Sequence, residues 1–449
     1  MRIWRGTGKR HWQMIGLALA LALPLAPSSG HANLVVDGSL GNSPYTIAAN
    51  ITNDNVIVGD TSDGVLNQNG FANQVNQALT LGNFSLPPNP SYGTYNLNGG
   101  SLSAATEIVG DLGIGILNQT GGTNTVTNNL TLGNGQANFS SGSYTLSGTG
   151  SLWVGGNELI ANGTSGSFSQ DGGTHTVSGE LRLGAMVGDG AYTLRSGTLQ
   201  AASEIIGYIS AGTFEQDSGT HTVTGDLTVG DSQPGKKGYY ELNHGSLRAA
   251  NEIIGGAGTG EFEQYGGTHT VTGNLTLGKE DSGKGTYLLD TGVLQTANEI
   301  IGDAGTGSLT QTGGTNTTDN LFVGSYSGGS GTYALSGGTL TVQNIYIQAA
   351  NGTLEIGLAS PDSYGEVNVL GTAILGGTLA LSTDPNYKPK VGDSFLVMTF
   401  GSRTGDFAQF TRANLGGGLC FRKVYSANSL NLVVTKVQTT APLELLLLD

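Results

Sequence analysis

Apolar and polar residues alternate in short stretches along most of the chain, and glycine-rich turns separate the stretches. The motif Tyr-x-Leu opens a similar segment six times, at spacings of 49, 48, 48, 47 and 46 residues, from Tyr95, Tyr144, Tyr192, Tyr240, Tyr287 and Tyr333. Alternation over a few residues is typical of a strand with one buried face. A fixed period is typical of a repeat architecture, in which each unit buries its core only by stacking on its neighbours.

The two halves of the repeat resemble each other. Residues 192–207 (YTLRSGTLQAASEIIG) align with 214–230 (FEQDSGTHTVTGDLTVG), so that Glu204 matches Asp226. The structural period is therefore about 24 residues, which is the size of one coil of a parallel β-helix. The pattern predicts an all-β protein: a right-handed parallel β-helix with about 24 residues in each three-strand coil. From about residue 346 the segments lengthen, which predicts a β-rich C-terminal cap over the last coil.

Aromatic residues recur at one position of the aligned coils. Each tyrosine of this set lies on the same side of its strand as a leucine two residues later, so alternation predicts that the rings stack inside the solenoid. This column comprises Tyr144, Phe168, Tyr192, Phe214, Tyr240, Phe262 and Tyr287.

Acidic residues align in five successive coils. Carboxylates about 4.8 Å apart repel one another unless turn amides or a cation compensate. Either these side chains bond turn backbone, or they form a calcium column of oxygen ligands, although no recognised calcium loop is present. The column comprises Glu158, Glu180, Glu204, Asp226 and Glu252.

Three histidines, His175, His221 and His269, recur two coils apart, about 9.6 Å, with leucine at the equivalent position between them. That distance is too long for a shared metal ion, which needs its ligands at about 2 Å, so we expect histidines packed between leucines or bonded to turns. Thr-x-Thr flanks each histidine, but Thr198-Leu-Gln interrupts this array, which disfavours an ice-binding lattice.

Two loops break the regular pattern. Residues 231–238 (DSQPGKKG) and 279–285 (KEDSGKG) follow equivalent strands two coils apart. They place four lysines along one edge, which is either a ligand-binding edge or a solvated loop rim. These are Lys236, Lys237, Lys279 and Lys284.

The N-terminus has the features of a Sec signal peptide. A basic segment precedes the apolar run 14–25, and Gly-His-Ala at 30–32 is a small-x-small cleavage site. We therefore divide the chain into a signal peptide (1–32), a β-helix of paired-coil repeats (33–345), a helix end and cap (346–437) and a tail (438–449). The run 14–25 is short for a membrane span, so we expect none in the mature chain.

Composition and charge narrow the functional classes. Glycine accounts for 76 of 449 residues, more than twice its usual share of about 7%. Without residues 1–32 the chain holds 14 basic and 33 acidic side chains, a net charge of −19. Such a surface repels nucleic acids and anionic membranes. Cys420 is the only cysteine, so intramolecular disulfides are excluded.

The repeat Tyr-x-Leu-x-x-Gly-x-Leu, Glu-Ile-Ile-Gly and Gln-x-Gly-Gly-Thr resembles autotransporter passenger domains and related exported proteins of Gram-negative bacteria, including the autotransporter-associated β-strand repeat. The resemblance covers about residues 40–410, and 364–410 resembles the end of such passengers. It implies an extracellular or cell-surface solenoid and carries over no catalytic residue. Passengers continue into an outer-membrane barrel. Because only four consecutive leucines follow Glu444 here, we expect one of three situations: a truncated chain, a released protein, or a separate outer-membrane anchor.

The regular recurrence of every motif favours a scaffold over an active site, since an active site is a local break in a pattern. We therefore expect a non-enzymatic, adhesin-like structural solenoid that contacts glycans or proteins on a cell surface or in a matrix, with no cofactor other than calcium. The alternatives are a polysaccharide-active β-helix enzyme, which needs convergent acids and a base in one cleft, and a passive spacer.

Overall fold

A computed structural model describes residues 32–86, 89–135, 140–231, 237–325 and 328–437. The predicted signal peptide up to residue 31, the tail from 438 onward and Lys236 lie outside the described residues. The described chain is a parallel β-solenoid of about 14 turns with about 24 residues per turn. The predicted fold class is confirmed.

The first 14 strands build the N-terminal coils. One short 3₁₀ helix, Gly38–Leu40, lies in the first coil. The strands are β1 Leu34–Val36, β2 Tyr45–Thr46, β3 Ile51–Asn53, β4 Val56–Val58, β5 Gly64–Leu81, β6 Ser85–Leu86, β7 Asn89–Pro90, β8 Tyr92–Val109, β9 Ile114–Gln119, β10 Thr123–Val126, β11 Leu130–Leu132, β12 Ser141–Val154, β13 Glu158–Ile160 and β14 Gly166–Leu183.

The remaining strands continue the solenoid and then close it. They are β15 Gly190–Ile206, β16 Gly212–Gln216, β17 Thr220–Val229, β18 Lys237–Leu242, β19 Ser246–Ile254, β20 Thr259–Gln264, β21 Thr268–Leu277, β22 Lys284–Leu289, β23 Val293–Ile301, β24 Thr306–Gln311, β25 Thr315–Val323, β26 Ser330–Leu335, β27 Thr339–Gln348, β28 Gly352–Ser360, β29 Ser363–Tyr364, β30 Val367–Leu375, β31 Thr378–Thr383, β32 Ser394–Gly405, β33 Gln409–Thr411, β34 Asn414–Gly416, β35 Leu419–Tyr425 and β36 Ser429–Lys436.

Each coil pairs in parallel with the coil before it and the coil after it. Tyr192 of β15 lies opposite Phe168 of β14 and Phe214 of β16, so successive coils bring equivalent residues side by side. This pairing satisfies the backbone groups that a single coil would leave bare, and it extends one core along the solenoid.

A coil has three strand segments, as the coil of β18 and β19 illustrates. β18 forms the first segment, and a register shift between Ala249 and Glu252 bends β19 into the second and the third. A glycine with positive φ follows the third segment in most coils, and Ala161, with φ of 64°, takes this place after β13. At Gly230, with φ of 77°, a Cβ atom would lie 2.2 Å from the carbonyl oxygen of Thr259 in the next coil, so a side chain here would force the two coils apart.

The C-terminal end changes from parallel to antiparallel pairing. β30 still pairs in parallel with β27 and β32, and β31 with β33. β34, β35 and β36 then pair antiparallel, and β36 also runs antiparallel along β32. Phe395 of β32 and Phe421 of β35 meet edge to face at 5.8 Å in the core of this end. The antiparallel strands therefore cover one side of the last coils.

Candidate functional site

The aromatic column predicted from the sequence is confirmed. Each ring stacks on the next with centroids 4.7–4.9 Å apart and planes within 9° of parallel. All seven side chains are fully buried. The spacing equals the distance between paired strands, so the same register that closes the backbone hydrogen bonds sets the stacking.

Beside this column lies a buried polar cluster that draws its members from three successive coils. In the cluster centred on His221, Tyr240 Oη donates to Gln216 Oε1 at 2.6 Å, and His221 Nδ1 lies 2.9 Å from Tyr240 Oη. His221 Nε2 lies 2.9 Å from Oε2 of Glu204, and both side chains are fully buried. We call this set a Gln–Tyr–His–Glu cluster. Two further copies are Gln170, Tyr192, His175 and Glu158, and Gln264, Tyr287, His269 and Glu252.

The donor and the acceptor of each hydrogen bond in a cluster can be assigned from the neighbouring bonds. Gln216 Nε2 donates to the carbonyl oxygens of Gly219 and Ser246, so its Oε1 is the acceptor for Tyr240. Burial, followed by the charges of Glu204 and Glu252, raises the pKa of Tyr240 well above its ordinary value of 10.0, so the hydroxyl keeps its proton.

With its own proton committed to Gln216, the Tyr240 oxygen accepts from His221, whose Nδ1 must therefore carry hydrogen. A bare Nε2 and a carboxylate would repel each other at 2.9 Å, so one proton lies between His221 and Glu204. Neither His221 Nε2 nor Glu204 Oε2 forms a well-aligned hydrogen bond with a described residue, so the contact is a close ion pair. Each cluster is thus neutral overall although it contains a buried carboxyl group.

The histidines occupy the environment predicted for them. His175 lies in register between Leu152 and Leu199. Its ring also stacks on Phe168 at 4.6 Å between centroids. The contact of each histidine with a glutamate of the preceding coil was not predicted. The sequence does contain a pattern that could have predicted this contact. Glu alternates with Leu in the third segments, His alternates with Leu in the second segments, and each His lies one coil after a Glu.

In the flanking coils, asparagine replaces histidine. Asn124 Nδ2 donates to Tyr144 Oη at 3.1 Å and to Glu107 Oε2 at 3.0 Å. Asn316 makes the same two bonds, to Tyr333 and Glu299, at 3.0 and 3.2 Å. The amide thus supplies both donors of the imidazolium but no charge.

The glutamates of these coils titrate differently from an ordinary glutamate. Burial raises the pKa of Glu107 from 4.5 to about 7, and the hydrogen bond from Asn124 only partly opposes this effect. Burial likewise raises the pKa of Glu299 to about 7, against the hydrogen bonds from Asn316 and Thr296. The fully buried carboxyl groups of the asparagine coils therefore exchange a proton near neutral pH.

The predicted acidic column is wrong in its register. Glu204 lies opposite Leu181 and Leu227, whereas Glu180 lies opposite Ser203 and Asp226 opposite Asn251. The corner from Val177 to Gly184 holds one residue more than the corner from Ala201 to Gly207, and this extra residue turns the acid outward. Consequently Glu158, Glu204 and Glu252 are fully buried, while Glu180 and Asp226 lie on the outer surface.

The register of these acidic residues also affects the predicted calcium site. The buried glutamates lie two coils apart and each faces a histidine rather than another carboxylate. Across the described ranges, no group of three or more His, Cys, Asp and Glu side chains is placed to hold a metal ion. The five acids do not form one column, and calcium binding by them stays a prediction.

Two of the four lysines predicted to form one edge share a register, and acidic side chains lie among them. Lys237 and Lys284 are exposed and lie in one register with Thr259 between them. Lys237 forms an ion pair with Glu261 of the next coil. Burial and then Glu280 raise the pKa of Asp231 beside this edge, and the charge of Lys279 opposes them. Carboxylates thus interleave with the cations, and a ligand at this edge stays a prediction.

A column of hydroxyl side chains runs along the outside of the second segments. The Thr-x-Thr array was predicted in alternate coils only. The position of its first threonine carries Thr or Ser in ten of eleven successive coils, and Val293 is the exception. All ten are exposed or half-buried. The hydroxyl column comprises Ser101, Thr123, Ser151, Thr174, Thr198, Thr220, Ser246, Thr268, Thr315 and Thr339.

The next outward position of the same segments alternates in character. Threonine at 125, 176, 222, 270 and 317 alternates with Trp153, Gln200, Arg248 and Gln295. Trp153 is 41% exposed, which makes it an aromatic side chain available on this face. The hydroxyl column and this alternating row together form an outer face of repeated, mainly polar side chains.

Comparison with known proteins adds no relative. No family model matches the chain, and no curated protein matches it. The described part contains no helix that is both long and apolar enough to cross a membrane.

Proposed function

We propose that this protein is an exported, non-enzymatic solenoid that makes adhesive contacts with glycans or proteins on a cell surface or in a matrix. The observation that carries the proposal is the hydroxyl column, which repeats Thr or Ser through ten of eleven coils. At about 4.8 Å per coil it extends for about 48 Å. Hydroxyl groups repeated at equal spacing along one face suit many weak, equivalent contacts with an extended partner.

The positions of the ionisable groups support a non-enzymatic role. The Gln–Tyr–His–Glu clusters contain the residue types of general acid and base catalysis, yet their His and Glu side chains have no exposed surface. A general base must come within hydrogen-bonding distance of its substrate. These clusters are therefore assigned to the core. The resemblance to autotransporter passengers supports export and a place at the cell surface.

Binding of the full-length protein to a glycan array and to immobilised matrix proteins tests the proposal. Replacing the neighbouring exposed residues Thr174, Thr198 and Thr220 together by Glu would place three carboxylates on the face, and we expect binding to be lost. Thr193→Glu is the matched control, because Thr193 points outward from the first segment of a coil between them.

Three outcomes would contradict the proposal. Equal binding by the triple variant and the control would show that the hydroxyl column is not the contact face. Robust cleavage of a polysaccharide, abolished by one acidic substitution, would favour the enzyme alternative. Failure to bind any surface would favour a passive spacer. Fractionation of cells expressing the full chain distinguishes surface retention, which implies an anchor, from release.

A further inference from the structure

The solenoid contains two kinds of buried polar cluster, and their order along the axis is not random. The three clusters with histidine occupy the middle coils, around His175, His221 and His269. The asparagine clusters flank them, with Glu107 on the N-terminal side and Glu299 on the C-terminal side. The middle of the solenoid therefore holds neutral acid–base pairs, whereas the flanks hold glutamates without a cationic partner in the cluster.

The groups around Glu107 stabilise a negative charge only in part. Asn124 donates one hydrogen bond to Oε2, and Oε1 has no partner among the described residues. The other titratable groups that act on it are the neutral hydroxyls of Tyr95 and Tyr144 and the carboxyl group of Glu158, which is of like charge.

Glu299 is in a similar position. It accepts from Asn316 and, at Oε1, from Thr296 at 3.1 Å. The tyrosines that its charge acts on are Tyr287 and Tyr333. Ionising either glutamate thus places a negative charge without a cationic partner in a fully buried site, which raises the free energy of the closed solenoid.

We propose that Glu107 and Glu299 are pH-responsive elements that hold the flanking coils closed while protonated and loosen them when ionised, whereas the histidine clusters keep the middle coils closed in both conditions. The response is local, because each carboxyl group is hydrated only when the coils on either side of it open. Opening would expose the strand edges and the inner face of the flanks and leave the central segment intact.

The direction of the effect follows from linkage. The pKa of Glu107 is about 7 in the closed solenoid and 4.5 in its ordinary, hydrated state. A carboxyl group with a raised pKa stabilises the closed form most fully below 4.5, and this stabilisation is lost as the pH rises toward 7. The equilibrium constant for opening should rise about tenfold per pH unit between these values, about 300-fold in all, and level off above 7.

Hydrogen exchange of the full chain, read by mass spectrometry, tests this proposal. Peptides around 95–144 and 287–333 report on the flanks, and peptides within 192–254 report on the middle. The readout is the exchange rate of the wild type divided by the exchange rate of Glu107→Gln at the same pH. The intrinsic pH dependence of exchange is common to both proteins and cancels in this ratio. For peptides around 95–144 we expect this ratio to rise about tenfold per unit between pH 5 and 7. For peptides in the middle it should not change.

Asn124→His provides an independent test from the opposite direction, because it converts the flank into a histidine cluster. We expect this variant to lose the pH dependence of the flank while it keeps the core contacts. Asp226→Asn, on an exposed corner acid, is the matched control and should behave as the wild type. Glu299→Gln should remove the response at the other flank only. A flat ratio for Glu107→Gln, or an unchanged pH response in Asn124→His, would overturn the proposal.

Discussion

The ion pair between Glu204 and His221 can be tested by exchanging its members for the residue that the solenoid already uses at the same positions. Leucine lies on both sides of Glu204 in register, as Leu181 and Leu227. Leu199 and Leu247 flank His221 in the same way. Leucine therefore fits both sites sterically, and the variants Glu204→Leu, His221→Leu and the double variant report mainly on electrostatics.

The magnitude follows from the geometry. Both side chains are fully buried and their charged atoms lie 2.9 Å apart. At an effective dielectric constant of about 20, two unit charges at that distance attract by about 6 kcal/mol. Removing one partner leaves the other without compensation, and we expect each single variant to lose about 3–5 kcal/mol. Replacing both removes the attraction and both desolvation costs, so the double variant should lie within about 1 kcal/mol of the wild type.

Local unfolding free energies from hydrogen exchange of 199–254, measured at one pH for all four proteins, provide the assay. The double-mutant cycle should give a coupling energy of several kcal/mol. Additive losses, with the double variant the least stable of the four, would refute the assignment of the pair as a coupled, neutral unit. So would single variants that lose less than about 1 kcal/mol, since the pair would then contribute little.

Three further changes probe the same core. Phe214→Leu should cost about 1 kcal/mol, because Leu309 already fills the aromatic register, whereas Phe214→Ala should cost about 3–5 kcal/mol in chemical denaturation through the cavity it leaves. Gly230→Ala should destabilise by more than about 2 kcal/mol in the same assay, because the new Cβ atom meets a backbone carbonyl at a residue with φ of 77°. His221→Asn should keep the fold, and its rate of hydrogen exchange near Glu204, divided by that of the wild type at the same pH, should rise between pH 5 and 7, since asparagine supplies the donors without the charge.

The parts of the fold that the sequence predicts are those that repeat with one residue type at one spacing. The stacked column of Tyr192 and Phe214 could be located because an aromatic residue recurs in seven successive coils, and each tyrosine has a leucine on the same side two residues later. The same argument placed His175 between two leucines. In each case alternation within a strand determined the burial, and the period determined the neighbour.

The polar clusters could not be assembled in this way. Glu204, His221 and Tyr240 belong to three successive coils, and their contacts depend on the register between strands rather than on motif spacing. That register changes by one residue at the corner after the second segment. Aligning Glu204 with Asp226 by their shared charge chose the wrong partner, since Leu227 takes the inward position. The alignment also matched Gly207 with Gly230, and the extra residue lies between the matched pairs: Glu204 is three positions before Gly207, whereas Asp226 is four positions before Gly230.

The doubled repeat of about 48 residues has an electrostatic reason. A Gln–Tyr–His–Glu cluster spans three coils, so a cluster starting in every coil would place buried glutamates about 4.8 Å apart, with about 3 kcal/mol of repulsion per ionised pair at an effective dielectric constant of about 20. Leucine at alternate positions, such as Leu227 between Glu204 and Glu252, doubles that distance and halves the repulsion. The aromatic column shows the same two-coil period. A histidine needs a hydroxyl group from only every second ring, as His221 does from Tyr240, and the phenylalanine of the coil between stacks on the histidine ring, as Phe214 does on His221. The chemistry of the interior thus imposes a two-coil period, whereas the hydroxyl column outside keeps the one-coil period of the backbone.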